Sequence, residues 1–428
     1  MNDSVKLSIE SYIRASGLGD PGQFKHIFAP GRVEVLGKHT DYAGGSSIVA
    51  ALSIGIGFAY RPRTDSLIEV HATDLGDTAV LDATGSNVAE GHWSAYFDQV
   101  AKRVFNNFPG RNTGATIIVS SSLPPAAGMS SSSAVVIGAF LCLADLNDCF
   151  AHEAFKANIR SRLDLADYLS TVENGGSYRH LSGNTGVGTL GGSEDHTAIL
   201  ASLPLQLGWF NYRPTELRKY IPFPDGLDLA LISSGVVAEK SGSAREDYNR
   251  SARLCHEIVQ IWNRETGSEV ANVGSMLNCI DFSISSLRKL FTRMNRDDLA
   301  LRFEHFYREE TVHIPNFVSA VSEGDYERMG TVISQSFADA DALLGNQTEE
   351  TRALVRIAES LGALGASAFG AGFGGSVYAL VRQDAAATFL ADWKKTYLQQ
   401  FPQHVAGVEA FIDRPQKGTN VPASFARN

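Results

Sequence analysis

The chain is short of cysteine, of long apolar runs and of positive charge, and each shortage removes a class of protein. Its four cysteines, Cys142, Cys149, Cys255 and Cys279, form no C-x-x-C pair. This argues against a zinc ribbon or a disulfide scaffold and predicts buried free thiols in a reducing compartment. No run of 18 apolar residues occurs, so no membrane-spanning helix is expected. The first residues, MNDSVKLSIESYIRASG, read as a short amphipathic helix without the apolar centre of a signal peptide, which makes a cytoplasmic location the expectation. With 37 Lys and Arg against 47 Asp and Glu, the formal charge is −10. Neither nucleic acid nor an anionic membrane is therefore expected as a partner. The motifs G-x-x-x-x-G-K-[ST], G-x-S-x-G, H-E-x-x-H and H-R-D are all missing, which sets aside Walker-type NTPases, serine hydrolases, zinc proteases and protein kinases.

What is present suits an ordinary globular chain of two domains: 428 residues, 44% apolar and 20% charged. Periodicity predicts a helix over 5–15 and strands over 26–36 (interrupted at Pro30-Gly31), 47–60, 67–71 and 78–81. A helix over 93–108, a buried strand over 114–120 and a helix over 134–146 follow. One long amphipathic helix is expected over 151–172, then a loop rich in Gly, Ser, Thr and Asn over 175–193, then a capped element from Glu194-Asp195 onward. The prolines between 204 and 224 mark the expected domain boundary. Beyond them come a strand over 227–233, helices over 245–265, 284–293, 297–320, 325–344 and 348–363, strands over 366–371 and 376–381, and a last helix over 384–399. The sum is an α+β protein, strand-rich first and helix-rich afterwards.

Three stretches carry chemistry. In Ala127–Asn147, Gly128, Met129 and the serines Ser130, Ser131, Ser132 and Ser133 open directly into an apolar helix. Free N–H groups and the helix dipole favour an anion there, as in a phosphate-binding turn; the alternative is a plain serine-capped helix. In APGRVEVLGKHTDYAGG, Arg32 sits beside a Pro-Gly break, and His39 and Asp41 occupy a tight turn suited to ligand hydroxyls. In GASAFGAGFGGSV, Gly370, Gly372, Gly374 and Gly375 match G-x-G-x-x-G literally. A strand rather than a helix follows them, so the dinucleotide reading fails; the glycines instead allow close backbone approach to a phosphate or to the other stretches.

Taken in order, these three stretches resemble the GHMP kinases and, among them, the galactokinases: APGRVEVLGKHTDYAGG the galactokinase signature, LPPAAGMSSSSA the ATP-binding motif, and GASAFGAGFGGSV the third motif. The resemblance implies a two-domain α+β fold, with a ribosomal protein S5 domain 2-like N-terminal domain (1–215) and a ferredoxin-like, helix-rich C-terminal domain (216–428). It implies ATP and Mg²⁺ as cofactors, a cleft between the domains, phosphorylation of a sugar on its anomeric hydroxyl, and a monomer or weak homodimer. By position, Arg32 and Asp195 correspond to the catalytic pair, and Lys38, His39, Asp41, Gly192 and Tyr248 to the sugar site. Gly128 to Ser133 correspond to the ATP turn. One serine of Ser131 to Ser133, taken as Ser132, corresponds with Glu173 to the metal ligands. Two departures stand out. Lys38 occupies the place of a glutamate that contacts the distal end of the sugar. It would either pair with the carboxylate of a uronic acid, or turn away and pair with Glu34 while a neutral sugar binds. The loop before Asp195 is also long, and could form a lid, reshape the pocket or decorate its rim. A non-catalytic sugar and ATP sensor is the alternative of another class.

Overall fold

The computed structural model describes residues 3–82, 88, 91–236, 242–279, 283–422 and 425. Its organising element is a pair of antiparallel strands, β1 (Lys25–Leu36) and the 17-residue β2 (Ser46–Pro62). The expected interruption at Pro30-Gly31 is a bulge rather than a break. Pairing slips between Pro30 and Arg32, because proline brings no N–H to the ladder, and the strand continues. Along its other edge β2 pairs with β5 (Ala115–Ser121) and β6 (Gln206–Asn211). Strands β3 (Leu67–Ala72), β4 (Asp77–Asp82) and β7 (Glu216–Pro222) complete a seven-stranded sheet, antiparallel except where β3 lies parallel to β5.

The helix Ser131–Leu146 packs on this sheet and is buried from Ser133 to Ala144 apart from Val135. Gly138 permits the close approach, since a Cβ there would lie 2.1 Å from the Phe58 ring. A second sheet runs β11 (Ala410–Asp413), β8 (Leu227–Ser233), β10 (Ser376–Arg382), β9 (Gly365–Phe369), all antiparallel. The helices Glu349–Ser360 and Ala386–Gln400 cover it through Leu354 and Trp393. A separate helical cluster forms around Trp262, Phe291, Phe303 and Phe306 and closes on Tyr42 and Ala43, beside the first sheet.

Several elements differ from expectation. The helix expected over 151–172 is two helices, Glu153–Asn158 and Arg162–Asn174, because Ser161 caps a new start by accepting from the Asp164 N–H. The proline-rich stretch 204–224 holds the β6–β7 hairpin. Its prolines fall in the turn and at strand ends, where a missing donor costs little. A division at 215/216 would cut that hairpin; the turn 223–226 separates the two sheets. The helices expected over 297–320 and 325–344 contain π-helical turns at Glu309–His313 and Ala340–Leu344. Strand β11 went unread, being only four residues long. Cys142, Cys149 and Cys255 are buried and all four cysteines are free, as expected. No described helix is long and apolar enough to cross a membrane.

The long loop 175–193 is pinned rather than loose. Arg103, 1% exposed, donates to Asn184 Oδ1 (3.1 Å) and to the carbonyls of Ser182 (2.8 Å), Thr171 (2.7 Å) and Gly176 (2.6 Å). Asn249 grips the far end, accepting from the Leu190 N–H and donating to the Gly188 carbonyl. Replacing Arg103 by Ala leaves four acceptors without their donor. It is expected to lower stability by about 3 kcal/mol or more in urea unfolding, and to open residues 177–190 to proteolysis.

Candidate active site

The bulge in β1 falls directly before Arg32, which is 3% exposed. Its Nε donates to Asp195 Oδ1 at 2.8 Å and its Nη1 to the Gly128 carbonyl at 2.5 Å, while its backbone N–H meets the Met129 carbonyl at 3.3 Å. The guanidinium also lies 5.8 Å from the centre of the Phe369 ring. Arg32 thus joins β1, the serine turn and the helix Glu194–Ala201 at one point. Burial pulls its pKa down, but Asp195, Glu194 and Glu34 outweigh that, and the net shift is upward, keeping the cation.

The serine turn is built to leave donors free. Gly128 and Ser130 both take left-handed conformations, and Ser130 occupies the N-cap position without making a capping bond. Its Oγ is buried with no hydrogen-bond partner. A plain serine-capped helix is therefore not what forms; the first N–H groups of the helix keep no side-chain acceptor from the cap. Met129 packs into the core at 2% exposure, so its side chain belongs to the fold. Ser131 is exposed. Ser132, taken above for the metal, is half-buried, whereas Ser133 Oγ donates to Glu173 Oε1 at 2.9 Å.

The glycine turn Gly370–Gly375 joins β9 to β10, as a strand–loop–strand unit. It lies against the serine turn: Ser376 Oγ donates to the Ala127 carbonyl at 2.7 Å, and a Cβ on Gly370 would come within 2.9 Å of the Gly128 carbonyl. Of the four glycines in the motif, Gly370 and Gly375 face the serine turn, Gly372 packs against Asn346, and Gly374 against Val236.

A cleft opens between these parts, lined among others by Arg32, Glu34, His39, Asp41, Glu173, Gly192, Glu194, Asp195 and Tyr248. About 40 Å³ of it is open to the centres of water-sized groups, room for a few waters. Asp41 accepts from the Glu194 N–H at 3.3 Å. A Cβ on Gly192 would sit 2.4 Å from Asp41 Oδ2, so only glycine fits. The imidazole of His39 is engaged by protein on both sides, Nδ1 with the Tyr42 hydroxyl (2.7 Å) and Nε2 with the Ala371 carbonyl (3.1 Å). The Tyr248 ring centre lies 5.6 Å from that of His39, and burial, with Asp41 and Asp195 nearby, pushes its phenol well up and keeps it neutral.

Lys38 is not among the lining residues. It is fully buried, with Nζ 3.8 Å from Glu34 Oε1, which is the turned-away arrangement. Three acidic residues, Glu194, Glu309 and Glu310, escaped sequence reasoning as parts of this region, and Glu34 was expected only as a partner of Lys38. Glu194 and Glu34 both stand in the cleft wall. Burial, reinforced by Glu34 and Asp41, pushes Glu194 well up, and burial also raises Glu34 against the opposing pull of Lys38 and Arg32. Glu309 and Glu310, consecutive in the π turn, both reach the signature. Glu309 accepts from the Gly37 N–H (2.9 Å), and Glu310 from the Ser46 N–H (2.7 Å) and hydroxyl. Only a wider turn brings neighbouring side chains to one side, and no helical period signals that.

Family models match at residues 18–62 (galactokinase galactose-binding signature), 95–181 (GHMP kinases N-terminal domain) and 317–399 (GHMP kinases C-terminal). A galactokinase of Levilactobacillus brevis is 26% identical over 381 residues, covering 87% of this chain and 89% of that one. A galactokinase of Thermotoga neapolitana is also 26% identical, covering 88% and 94%. The crystal structure of Lactococcus lactis galactokinase complexed with galactose superimposes with a TM-score of 0.78 at 20% identity, over 98% of this chain and 100% of that one. Methanococcus jannaschii mevalonate kinase gives 0.57 at 16% identity, over 92% and 99%. The fold is thus the two-domain α+β fold of the GHMP kinases. By its motifs, the chain belongs to the GHMP kinase superfamily, in its galactokinase family.

The buried Lys38–Glu34 pair has a direct consequence. Lys38→Met strands the Glu34 carboxylate and should cost about 3–5 kcal/mol in chemical denaturation. Lys38→Glu, which adds a third carboxyl group beside Glu34 and Glu309, should cost at least as much. Full stability of Lys38→Glu would show that the pairing is not made in solution.

Proposed function

We propose that this chain is an ATP-dependent sugar kinase that transfers the γ-phosphoryl group to the anomeric hydroxyl of galactose or a related sugar. The observation that carries the reading is the Arg32–Asp195 pair, held at 2.8 Å and fixed through the Gly128 carbonyl to an uncapped helix start. Phosphoryl transfer asks a protein mainly for positioning and for neutralisation of charge. In this reading Asp195 orients the sugar hydroxyl and accepts its proton as the oxygen attacks the γ-phosphorus. The bond from that phosphorus to the bridging oxygen breaks, and ADP leaves. Arg32 offsets the charge gathering on the transferred group, and the free N–H groups after Ser130 receive phosphate oxygens. Asp41 and Gly192 shape the sugar end of the cleft.

Among the described residues no three His, Cys, Asp or Glu cluster to hold a metal. One carboxylate with a serine hydroxyl and nucleotide phosphates is an ordinary magnesium environment. Glu173 with Ser132 or Ser133 would hold Mg²⁺, which when bound neutralises phosphate charge.

The uronic acid reading loses its support because Lys38 faces Glu34 rather than the cleft. The sensor reading would fit a chain that had lost Arg32, Asp195 or the serine turn, and all three are intact. The test is ADP release from ATP across a sugar panel. Sugar-dependent release is expected, and Asp195→Asn and Arg32→Met should each lower kcat by about 10²–10³ or more while the fold, followed by circular dichroism, persists. Absence of stimulation by every sugar would favour the sensor.

A further inference from the structure

A second, larger cavity adjoins the cleft. About 450 Å³ of it is open to the centres of water-sized groups, against 40 Å³ beside Asp195. Tyr42 and Gly191 line both spaces, so the two meet at that edge. The long loop builds one wall through Leu190 and Gly191, and the helix Gly242–Thr266 builds another through Arg253, His256 and Val259. The two spaces differ in charge. Glu34, Asp41, Glu173, Glu194 and Asp195 line the cleft, whereas among the described residues no Asp or Glu lines the second cavity. Its charged side chains are Arg213 and Arg253, with His256 beside them.

Two donors there are unspent. Arg213, exposed in the β6–β7 turn, makes no hydrogen bond or ion pair with a described residue, while Arg253 is held by Glu246. Burial raises the Asp41 carboxyl, and Arg213 is among the groups that oppose this, so its charge is felt in the sugar cleft. Asn272 is 8% exposed. Its Oδ1 accepts from the Ser275 N–H (2.8 Å) and hydroxyl (2.9 Å), which fixes the amide and leaves Nδ2 without a partner on the cavity side. A donor on a side chain this buried is rarely left so, and an acceptor entering the cavity would satisfy it.

We propose that this cavity receives an anionic group carried by the substrate, so that the acceptor is an acidic sugar conjugate, sulfated or bearing a uronic acid residue, with its anomeric hydroxyl free. The inference rests on the sugar-kinase reading above and names its substrate class. With the anomeric hydroxyl at Asp195, a substituent must leave from another carbon of the ring, and the edge at Tyr42 and Gly191 gives it room. A sulfate or carboxylate brings charged acceptors to Arg213 and Asn272. This group is distinct from a carboxylate facing Lys38, whose Nζ is buried against Glu34. A neutral substituent would fill the space without meeting the charge.

The test uses the whole chain with galactose, with galactose sulfated at O3, O4 or O6, and with glucuronosyl-galactose and galactosyl-galactose linked through the same positions of the reducing galactose. Binding is read by calorimetry without nucleotide, and turnover as kcat/KM with ATP. At least one acidic conjugate is expected to exceed both galactose and its neutral counterpart by about tenfold or more, an advantage that shrinks as salt is raised. The sulfated and glucuronosyl arms separate the two sources of charge. Arg213→Gln is expected to cut the ratio of acidic to neutral conjugate by about tenfold. Asn272→Asp, which keeps the helix cap but puts a carboxylate oxygen in place of the donor, should cut it as well. A structural role would weaken every sugar alike. The proposal is overturned if no acidic conjugate exceeds its neutral counterpart, or if either substitution leaves the ratio unchanged. Free glucuronate or sulfate binding alongside galactose, with no gain for the conjugates, makes the cavity an effector site and overturns it too. Absence of turnover with every sugar overturns the kinase reading and this inference with it, whereas a preference for galactose overturns this inference alone.

Discussion

The contact on which the rest of the site depends is the one between Arg32 and Asp195. It is a buried, charge-assisted bond between side chains 163 positions apart. A guanidinium removed from water is costly unless its donors are met, and here a carboxylate and a main-chain carbonyl meet them. The carbonyl belongs to Gly128, so the same arginine that faces the acid also sets where the serine turn lies. The glycine turn between β9 and β10 then packs where a side chain would collide with the Gly128 carbonyl and Arg32. Three stretches that look separate along the chain are in this way one assembly, and the helix start among them is left open for an anion.

Around that assembly lies an unusual amount of buried charge. Lys38, Glu34, Glu194 and Glu309 form a connected group in which Lys38 balances a carboxylate instead of facing the cleft. His305 belongs to the same region. Burial first, then Arg302, His39 and Lys38, push its pKa well down and keep it neutral. Buried ions are seldom retained for stability alone, and here they keep a polar cleft polar inside an otherwise apolar junction. The two glutamates of the π turn extend the logic to the backbone. They accept from Gly37 and Ser46 on either side of the signature turn, so the helical half of the chain holds that turn in shape. The inserted loop contributes in the same static manner. Arg103 and Asn249 fix it at both ends, which delivers Gly191 and Gly192 to the cleft wall and favours a reshaped pocket over a moving cover.

Local pattern carried far in the sequence. Alternation and runs of β-branched residues located β1 to β5 and β8 to β10, and helical spacing located most helices, because those signals are properties of neighbouring residues. The break at Ser161 was legible as Ser-x-x-Asp and was masked by the continuing apolar stripe. The hairpin β6–β7 was hidden by prolines that sit in its turn, beside it and at the last paired position of β7. The residues gathered in the cleft were also largely legible, since Arg32, Asp41, Glu173, Gly192, Asp195 and Tyr248 all line it.

The sequence by itself determined the α+β architecture, the strand context that rules out a dinucleotide turn, and the family through three ordered motifs; the structure then left the helix start after Ser130 uncapped. Only the tertiary structure decided which way Lys38 faces, which serine meets Glu173, and that His39 spends both ring nitrogens on protein partners. It alone brought Glu34 and Glu194 into one cleft wall and aimed two successive glutamates at one turn. The physical reason is that charge pairing depends on distance through space and on exclusion of water. Neither is encoded in the spacing of residues along a chain; both are set when strands and helices far apart in sequence close on one another.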